Sequence, residues 1–115
     1  MPHPVIHVEI RSGDPDATRG FFSDLLDWKY ADGDLPGYTF ADTGVEGAIP
    51  TAIGPLQGGQ DAVLFFVGVQ DVAATLERAE QLGGRTIQSA TEVPGVTFGV
   101  LADPQGHVVG VAASS

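Results

Sequence analysis

The sequence contains no cysteine, and only 5 of its 115 residues are lysine or arginine. The absence of cysteine excludes disulfides, zinc–thiolate sites and thiol nucleophiles. The cysteine content therefore gives no indication of an oxidising compartment. The 15 acidic residues give a formal net charge of −10, so no basic stripe is present that could bind nucleic acid. A charge of this size favours solubility and says little about the fold.

Long apolar runs are also missing. The longest, residues 62–69, is far short of the roughly 20 residues with which a helix crosses a bilayer. The first four residues, Met-Pro-His-Pro, lack the basic segment and apolar core of a signal peptide. We therefore expect a cytoplasmic protein without membrane partners. A chain of 115 residues has the size of one domain.

The first half of the chain reads as a strand, a helix and three further strands. In residues 5–11 apolar and polar side chains alternate, which is typical of a half-buried strand. Asp14 and Pro15 are a helix cap and a first helical residue, and an apolar stripe (Phe21, Phe22, Leu25 and Leu26) follows at helical spacing. The sequence predicts further strands at residues 28–30, 38–42 and 48–53, and a glycine-rich linker over residues 54–60.

The second half repeats this order. Residues 63–69 predict a strand, and Asp71 begins a helix that ends at Gly83 and Gly84. A short strand is expected at residues 86–88, and the last strand begins at Val108. The segment Pro-Gly-Val-Thr-Phe at residues 94–98 echoes Pro-Gly-Tyr-Thr-Phe at residues 36–40, and Asp71 echoes Asp14 at nearly the same spacing. This indicates an internal duplication, with half-repeats of about residues 4–55 and 61–113.

The duplicated pattern resembles the vicinal oxygen chelate superfamily, which includes glyoxalases, bleomycin-resistance proteins and dioxygenases. The resemblance covers the whole chain, 1–115, and rests on the Asp-Pro helix start, the Leu-Gly-Gly helix end and the closing Asp-Pro-Gln-Gly turn at residues 103–106. It implies an α+β fold in which two βαβββ modules form a curved mixed sheet, a half-barrel whose concave face is the ligand cleft. It also makes a homodimer plausible.

In that family a metal is held by side chains from the first and last strands of each half. Here His7 matches the first ligand, Leu64 or Phe66 stands in the second half's first strand, and Gly110 stands where the family has glutamate. On the first half's last strand only Glu46 is available. His7 and Glu46 are thus the only metal candidates, and because a catalytic site needs about three protein ligands we predict no metal cofactor.

The polar face of the first strand, formed by His7, Glu9 and Arg11, is the strongest candidate for chemistry. Either these side chains satisfy one another on a half-buried strand, or they orient a ligand, with His7 and Glu9 as general acid and base. By the resemblance, a ligand would also meet a set of apolar or small residues in the second half: Leu64, Phe66, Gly68, Val108 and Gly110.

Three functions follow from this pattern. The first is metal-independent binding of a small organic molecule, as in bleomycin-resistance proteins. The second is an enzyme, a glyoxalase-type lyase or isomerase or a dioxygenase, acting on a small oxygenated metabolite. The third is a dimerisation module that binds no ligand. The sequence leaves open whether any reaction is catalysed.

Overall fold

A computed structural model describes residues 2–33, 35–57, 59 and 61–114. Its elements follow the chain in this order: β1 (Val5–Ser12), α1 (Pro15–Leu26), β2 (Lys29–Asp32), β3 (Thr39–Asp42), β4 (Thr51–Pro55), β5 (Ala62–Gly68), α2 (Val72–Gln81), β6 (Arg85–Val93), β7 (Val96–Ala102) and β8 (Val108–Ser114). The described residues divide into two compact units, the first of residues 7–63 and the second of residues 2–6 and 64–114.

The first unit has the strand order β2-β3-β4-β1, with α1 connecting β1 to β2. β1 and β4 run parallel, with Glu9 opposite Ala52 and Arg11 opposite Gly54. The other two pairings are antiparallel, and they place Phe40 opposite Ala52. Because side chains alternate across a strand, Glu9, Ala52 and Phe40 share one face of this sheet.

The second unit repeats that topology with the order β5-β8-β7-β6, and α2 connects β5 to β6. β5 and β8 run parallel with Phe66 opposite Gly110, whereas β8, β7 and β6 pair antiparallel. Each unit is therefore a βαβββ module, as the duplication in the sequence predicted.

The two helices begin with the same cap. Asp14 accepts a hydrogen bond from the Ala17 amide at 3.1 Å, and Asp71 accepts one from the Ala74 amide at 3.0 Å. Such caps satisfy amides that the helix itself leaves without a partner. The C-terminal ends differ. Asp27, with φ of 59°, directly follows α1, whereas Gly83, with φ of 96°, is the second residue after α2.

The helices differ in how they pack. α2 buries Val72 and Leu76, which form a core cluster with Val111. α1 has no buried residue, and Phe21 is 60% exposed. Only Phe22 of the predicted apolar stripe is half-buried, with its ring centroid 5.3 Å from that of Trp28. Leu25 and Leu26 are exposed.

Two strand boundaries correct the sequence-based ones. β4 begins after Pro50 and continues through Pro55, because its parallel pairing with β1 runs from Thr51 to Pro55. β6 extends over Arg85–Val93, far beyond the short strand expected, because it pairs with β7 around two irregularities in register. The predicted linker therefore begins after Pro55, and its residues Gly58 and Gln60 lie outside the described part of the chain.

Within the described ranges, no helix is both long and apolar enough to span a bilayer. The division into half-repeats of residues 4–55 and 61–113 within one domain, the cytoplasmic location and the homodimer stay predictions.

Candidate functional site

Three polar side chains of β1 form one connected group in the first unit. Arg11 Nε donates to Glu9 Oε2 at 2.6 Å, and the other carboxylate oxygen, Oε1, lies 3.3 Å from His7 Nε2. The side chains of Glu9 and Arg11 are 8% and 9% exposed, whereas that of His7 is 21% exposed. Glu9 and Arg11 are thus a buried ion pair, and His7 is the most accessible member of the group.

The charge of Glu9 is maintained by its neighbours. Burial by itself would raise the pKa of this carboxyl, but the hydrogen bonds from His7 and Arg11, together with their charges, hold its pKa below the ordinary 4.5. At neutral pH the group therefore contains one carboxylate, shared between a permanent guanidinium and an imidazole.

Two small residues of β4 and two aromatic residues near β3 complete this face. Ala52 lies beside Glu9 and Gly54 beside Arg11. Phe40, opposite Ala52, is 36% exposed, and its ring centroid lies 5.7 Å from that of His7. We call this surface, formed by His7, Glu9, Arg11, Tyr38, Phe40, Ala52 and Gly54, the β1 face.

The sequence did not single out four members of the β1 face, and Tyr38 is the only one of these four with a hydroxyl group. Its ring lies over Gly54, where an added β-carbon would be 2.5 Å from Tyr38 Cε1, and its hydroxyl accepts a hydrogen bond from Gln57 Nε2. Burial, followed by the negative charge of Glu9, raises the pKa of Tyr38 to about 12, although Arg11 opposes this shift. Tyr38 is therefore a neutral phenol at physiological pH.

The predicted binding residues of the second unit are mostly buried. Leu64 and Phe66 are each 3% exposed, and Gly110 is buried as well. The Phe66 ring covers Gly110 so closely that an added β-carbon would be 2.4 Å from Phe66 Cδ2. At Gly68 an added β-carbon would be 3.3 Å from Ile6. Neither glycine opens space for a ligand, and among these five positions only Val108 is exposed.

The first unit also contains a groove away from the β1 face. A groove of about 250 Å³ lies between Trp28 and the segment joining β3 to β4, with Val45 and Ile49 among its lining residues. None of the predicted site residues lines it. Glu46 belongs to the same connecting segment, where it occupies an exposed turn.

The positions at which the resemblance implies metal ligands contain few metal donors in this chain. His7 provides an imidazole, but its neighbour Glu9 is bound by Arg11, whose permanent positive charge opposes a second cation. In the first unit Glu9 of β1 lies opposite Ala52, and in the second unit Phe66 of β5 lies opposite Gly110. Ala52 is therefore the first-unit counterpart of Gly110. Neither residue has a side chain that can bind a metal. No three His, Asp or Glu side chains converge within the described residues. The donor set does not fit a divalent ion.

The family model for the glyoxalase-like domain matches residues 7–112. The chain belongs to this glyoxalase-like family. The match confirms the resemblance that the sequence indicated. No curated protein sequence matches this glyoxalase-like domain.

Solved structures agree on the fold. A glyoxalase/bleomycin resistance protein/dioxygenase superfamily member from Vibrio splendidus 12B01 is 15% identical with a TM-score of 0.62, and the match covers 99% of this chain and 100% of that one. For Streptomyces coelicolor methylmalonyl-CoA epimerase in complex with 2-nitronate-propionyl-CoA, the identity is 19%, the TM-score is 0.59 and the coverage is 97% and 94%.

For the Mn(II)-bound glyoxalase from Novosphingobium aromaticivorans, the identity is also 19% and the TM-score 0.59, with 95% of this chain and 37% of that one covered. At these identities the likeness concerns the fold alone. It confirms the predicted α+β class and the two βαβββ modules of the vicinal oxygen chelate fold.

Proposed function

We propose that this glyoxalase-like domain binds a small oxygenated organic molecule at the β1 face, without a metal. The observation that carries the proposal is the His7–Glu9–Arg11 group, in which a buried ion pair orients a partly exposed imidazole next to an exposed aromatic ring. Few polar groups on an otherwise apolar and aromatic surface are typical of small-molecule sites.

The contacts assign different roles to these side chains. Arg11 neutralises Glu9, so the buried carboxylate does not repel an oxygen-bearing ligand. Glu9 orients the His7 ring, and a ligand would meet His7 and the exposed part of Phe40. The methylmalonyl-CoA epimerase neighbour is in complex with 2-nitronate-propionyl-CoA on the same fold, which supports an organic ligand for this domain.

The donor set supports the proposal that binding is independent of a metal. A divalent ion would need ligands where the chain has Ala52 and Gly110, and the Glu9 carboxylate is already committed to Arg11. We therefore expect binding to persist in the presence of a chelator, and metal analysis of the purified protein to find far less than one divalent ion per chain.

A thermal-shift screen of small ketones, aldehydes, carboxylates and diols, run with and without EDTA, tests the proposal. A ligand at a hundredfold excess over its Kd stabilises the folded state by about 2.7 kcal/mol. His7→Ala should abolish the shift. His3→Ala is the matched control, since His3 is exposed near the N-terminus. Shifts that EDTA removes, or that His7→Ala leaves intact, would contradict the proposal, and a flat screen would favour the dimerisation module.

A second function, a metal-independent lyase or isomerase of the glyoxalase type, is supported by the His7–Glu9 contact. In the tautomer that donates Nε2–H to Glu9, the lone pair for taking up a substrate proton is on Nδ1. If a compound from the screen is turned over, His7→Ala should remove the turnover and Glu9→Gln should reduce it. Unchanged turnover in His7→Ala would exclude this mechanism.

A further inference from the structure

Tyr38 is the half-buried hydroxyl of the β1 face whose hydrogen-bonding capacity is incompletely used. Its oxygen accepts from Gln57 Nε2. Within residues 2–33, 35–57, 59 and 61–114, no side chain or backbone group accepts the hydrogen of the Tyr38 hydroxyl. A phenol can donate one hydrogen bond in addition to those it accepts, so one donor remains available here.

The surrounding contacts fix where this donor lies. The Tyr38 ring lies over Gly54, whose lack of a side chain provides the space, and Gly54 is paired with Arg11 across β4 and β1. The hydroxyl is held from the other side by Gln57. The ring therefore lies on the face that contains the His7–Glu9–Arg11 group. Its position depends on its contacts with Gly54 and Gln57.

We propose that Tyr38 is a ligand-binding residue that donates a hydrogen bond to an uncharged carbonyl oxygen, and so selects carbonyl compounds over hydrocarbons and carboxylates of the same shape. This rests on the proposed function and names the chemical class of its ligand. A hydroxyl that donates to a ligand oxygen disfavours analogues that lack this oxygen, because the hydrogen bond is then lost.

The charges around Tyr38 favour an uncharged oxygen. Burial and the nearby Glu9 carboxylate raise the pKa of Tyr38 to about 12, which means that a negative charge on the hydroxyl oxygen is unfavourable despite Arg11. A ligand carboxylate accepting from this hydroxyl would place its charge in the same region. A ketone or aldehyde oxygen would accept the hydrogen without that cost.

Three probes of similar shape separate these possibilities: acetophenone, its hydrocarbon analogue isopropenylbenzene, and benzoate. Binding to the full chain is measured by titration calorimetry or ligand-observed NMR. We expect acetophenone to bind more tightly than the other two. Tyr38→Phe keeps the ring on Gly54 and should weaken acetophenone binding by about 3- to 10-fold, the range for one hydrogen bond, without changing isopropenylbenzene binding.

Tyr30→Phe is the matched control, because Tyr30 donates to the Arg19 carbonyl at 2.8 Å and lies on the opposite face of the same sheet. It should leave all three affinities unchanged. If acetophenone binds and Tyr38→Phe has no effect, or if benzoate binds as tightly as acetophenone, the assignment of Tyr38 is wrong while the proposed function stands. If the unchanged protein binds none of the three and the broader screen is also flat, both fail.

A crystal structure of the ligand-free protein adds a check that needs no probe. We expect a water molecule, rather than a protein group, within hydrogen-bond distance of the Tyr38 hydroxyl as its acceptor. A protein acceptor at that position would overturn the assignment, because the donor would then be occupied.

Discussion

The ring of Phe66 lies over Gly110, and a β-carbon added at Gly110 would stand 2.4 Å from Phe66 Cδ2. The resemblance found in the sequence implies a metal-binding glutamate at the position of Gly110, so this contact tests whether a carboxylate can be accommodated there. We expect Gly110→Glu to lower the free energy of unfolding by about 1–3 kcal/mol or more, because the side chain overpacks a buried site. Urea denaturation measures this change.

Replacing both residues isolates the steric cause. Phe66→Ala alone should cost about 3–5 kcal/mol through the loss of a buried ring. Because that loss makes room for a side chain, the double variant Phe66→Ala/Gly110→Glu should be more stable than the sum of the two single changes implies, by about 1 kcal/mol or more. Strictly additive effects would show that the ring is not what excludes the glutamate.

Adding a side chain at Gly20 should stabilise the protein, in contrast to the substitution at Gly110. It lies inside α1, and an added β-carbon would meet no atom within 4 Å. Glycine in a helix is less favourable than alanine by about 1 kcal/mol, so Gly20→Ala should raise the free energy of unfolding by about 0.5–1 kcal/mol. Thermal unfolding followed by circular dichroism would detect this, and an unchanged or lower Tm would contradict the described surroundings of Gly20.

Removing Arg11 should expose the cost of burying Glu9. Arg11→Met leaves the carboxylate without its guanidinium, and breaking a buried ion pair costs about 3–5 kcal/mol. Arg78→Met is the matched control, since Arg78 is exposed and its Nη1 donates to the exposed Gln81, and it should cost about 0.5 kcal/mol or less. Equal losses in the two variants, measured by urea denaturation, would mean that the Glu9–Arg11 contact contributes nothing specific.

The lowered pKa of Glu9 predicts a contribution that depends on pH. A carboxyl whose pKa is lower in the folded state stabilises that state above its unfolded value of 4.5, and the contribution is lost as pH falls through the folded value. The stability difference between the protein and Glu9→Gln should therefore shrink as pH falls from about 5 towards 3. Urea titrations at several pH values measure the difference, and a gap independent of pH would argue against the ion pair.

Features that depend on neighbouring residues could be predicted from the sequence. The alternation around His7, Glu9 and Arg11 placed all three on one strand face, and Asp14 and Asp71 marked both helix starts. The duplication then led to the βαβββ modules. These features follow from backbone periodicity and local capping, which a short segment contains in full.

Features that depend on residues distant in sequence could not be predicted from the sequence. The boundaries of β4 are set by its pairing with β1. The position of Tyr38 depends on the missing side chain of Gly54 and on Gln57, and nothing near Tyr38 in sequence indicates either contact. Gly68 and Gly110 have no side chains, and Ile6 and Phe66, which are distant in sequence, occupy the space beside them. A glycine in the sequence shows that a side chain is missing, but it does not show which other group occupies the space.

The Phe66–Gly110 contact also bears on how this sequence can change over generations. A single substitution that places a carboxylate at position 110 meets the aromatic ring, and a single substitution that first removes the ring leaves a cavity. Each one-step route passes through a less stable intermediate. Placing a carboxylate at position 110 by successive point mutations is therefore difficult while Phe66 is present.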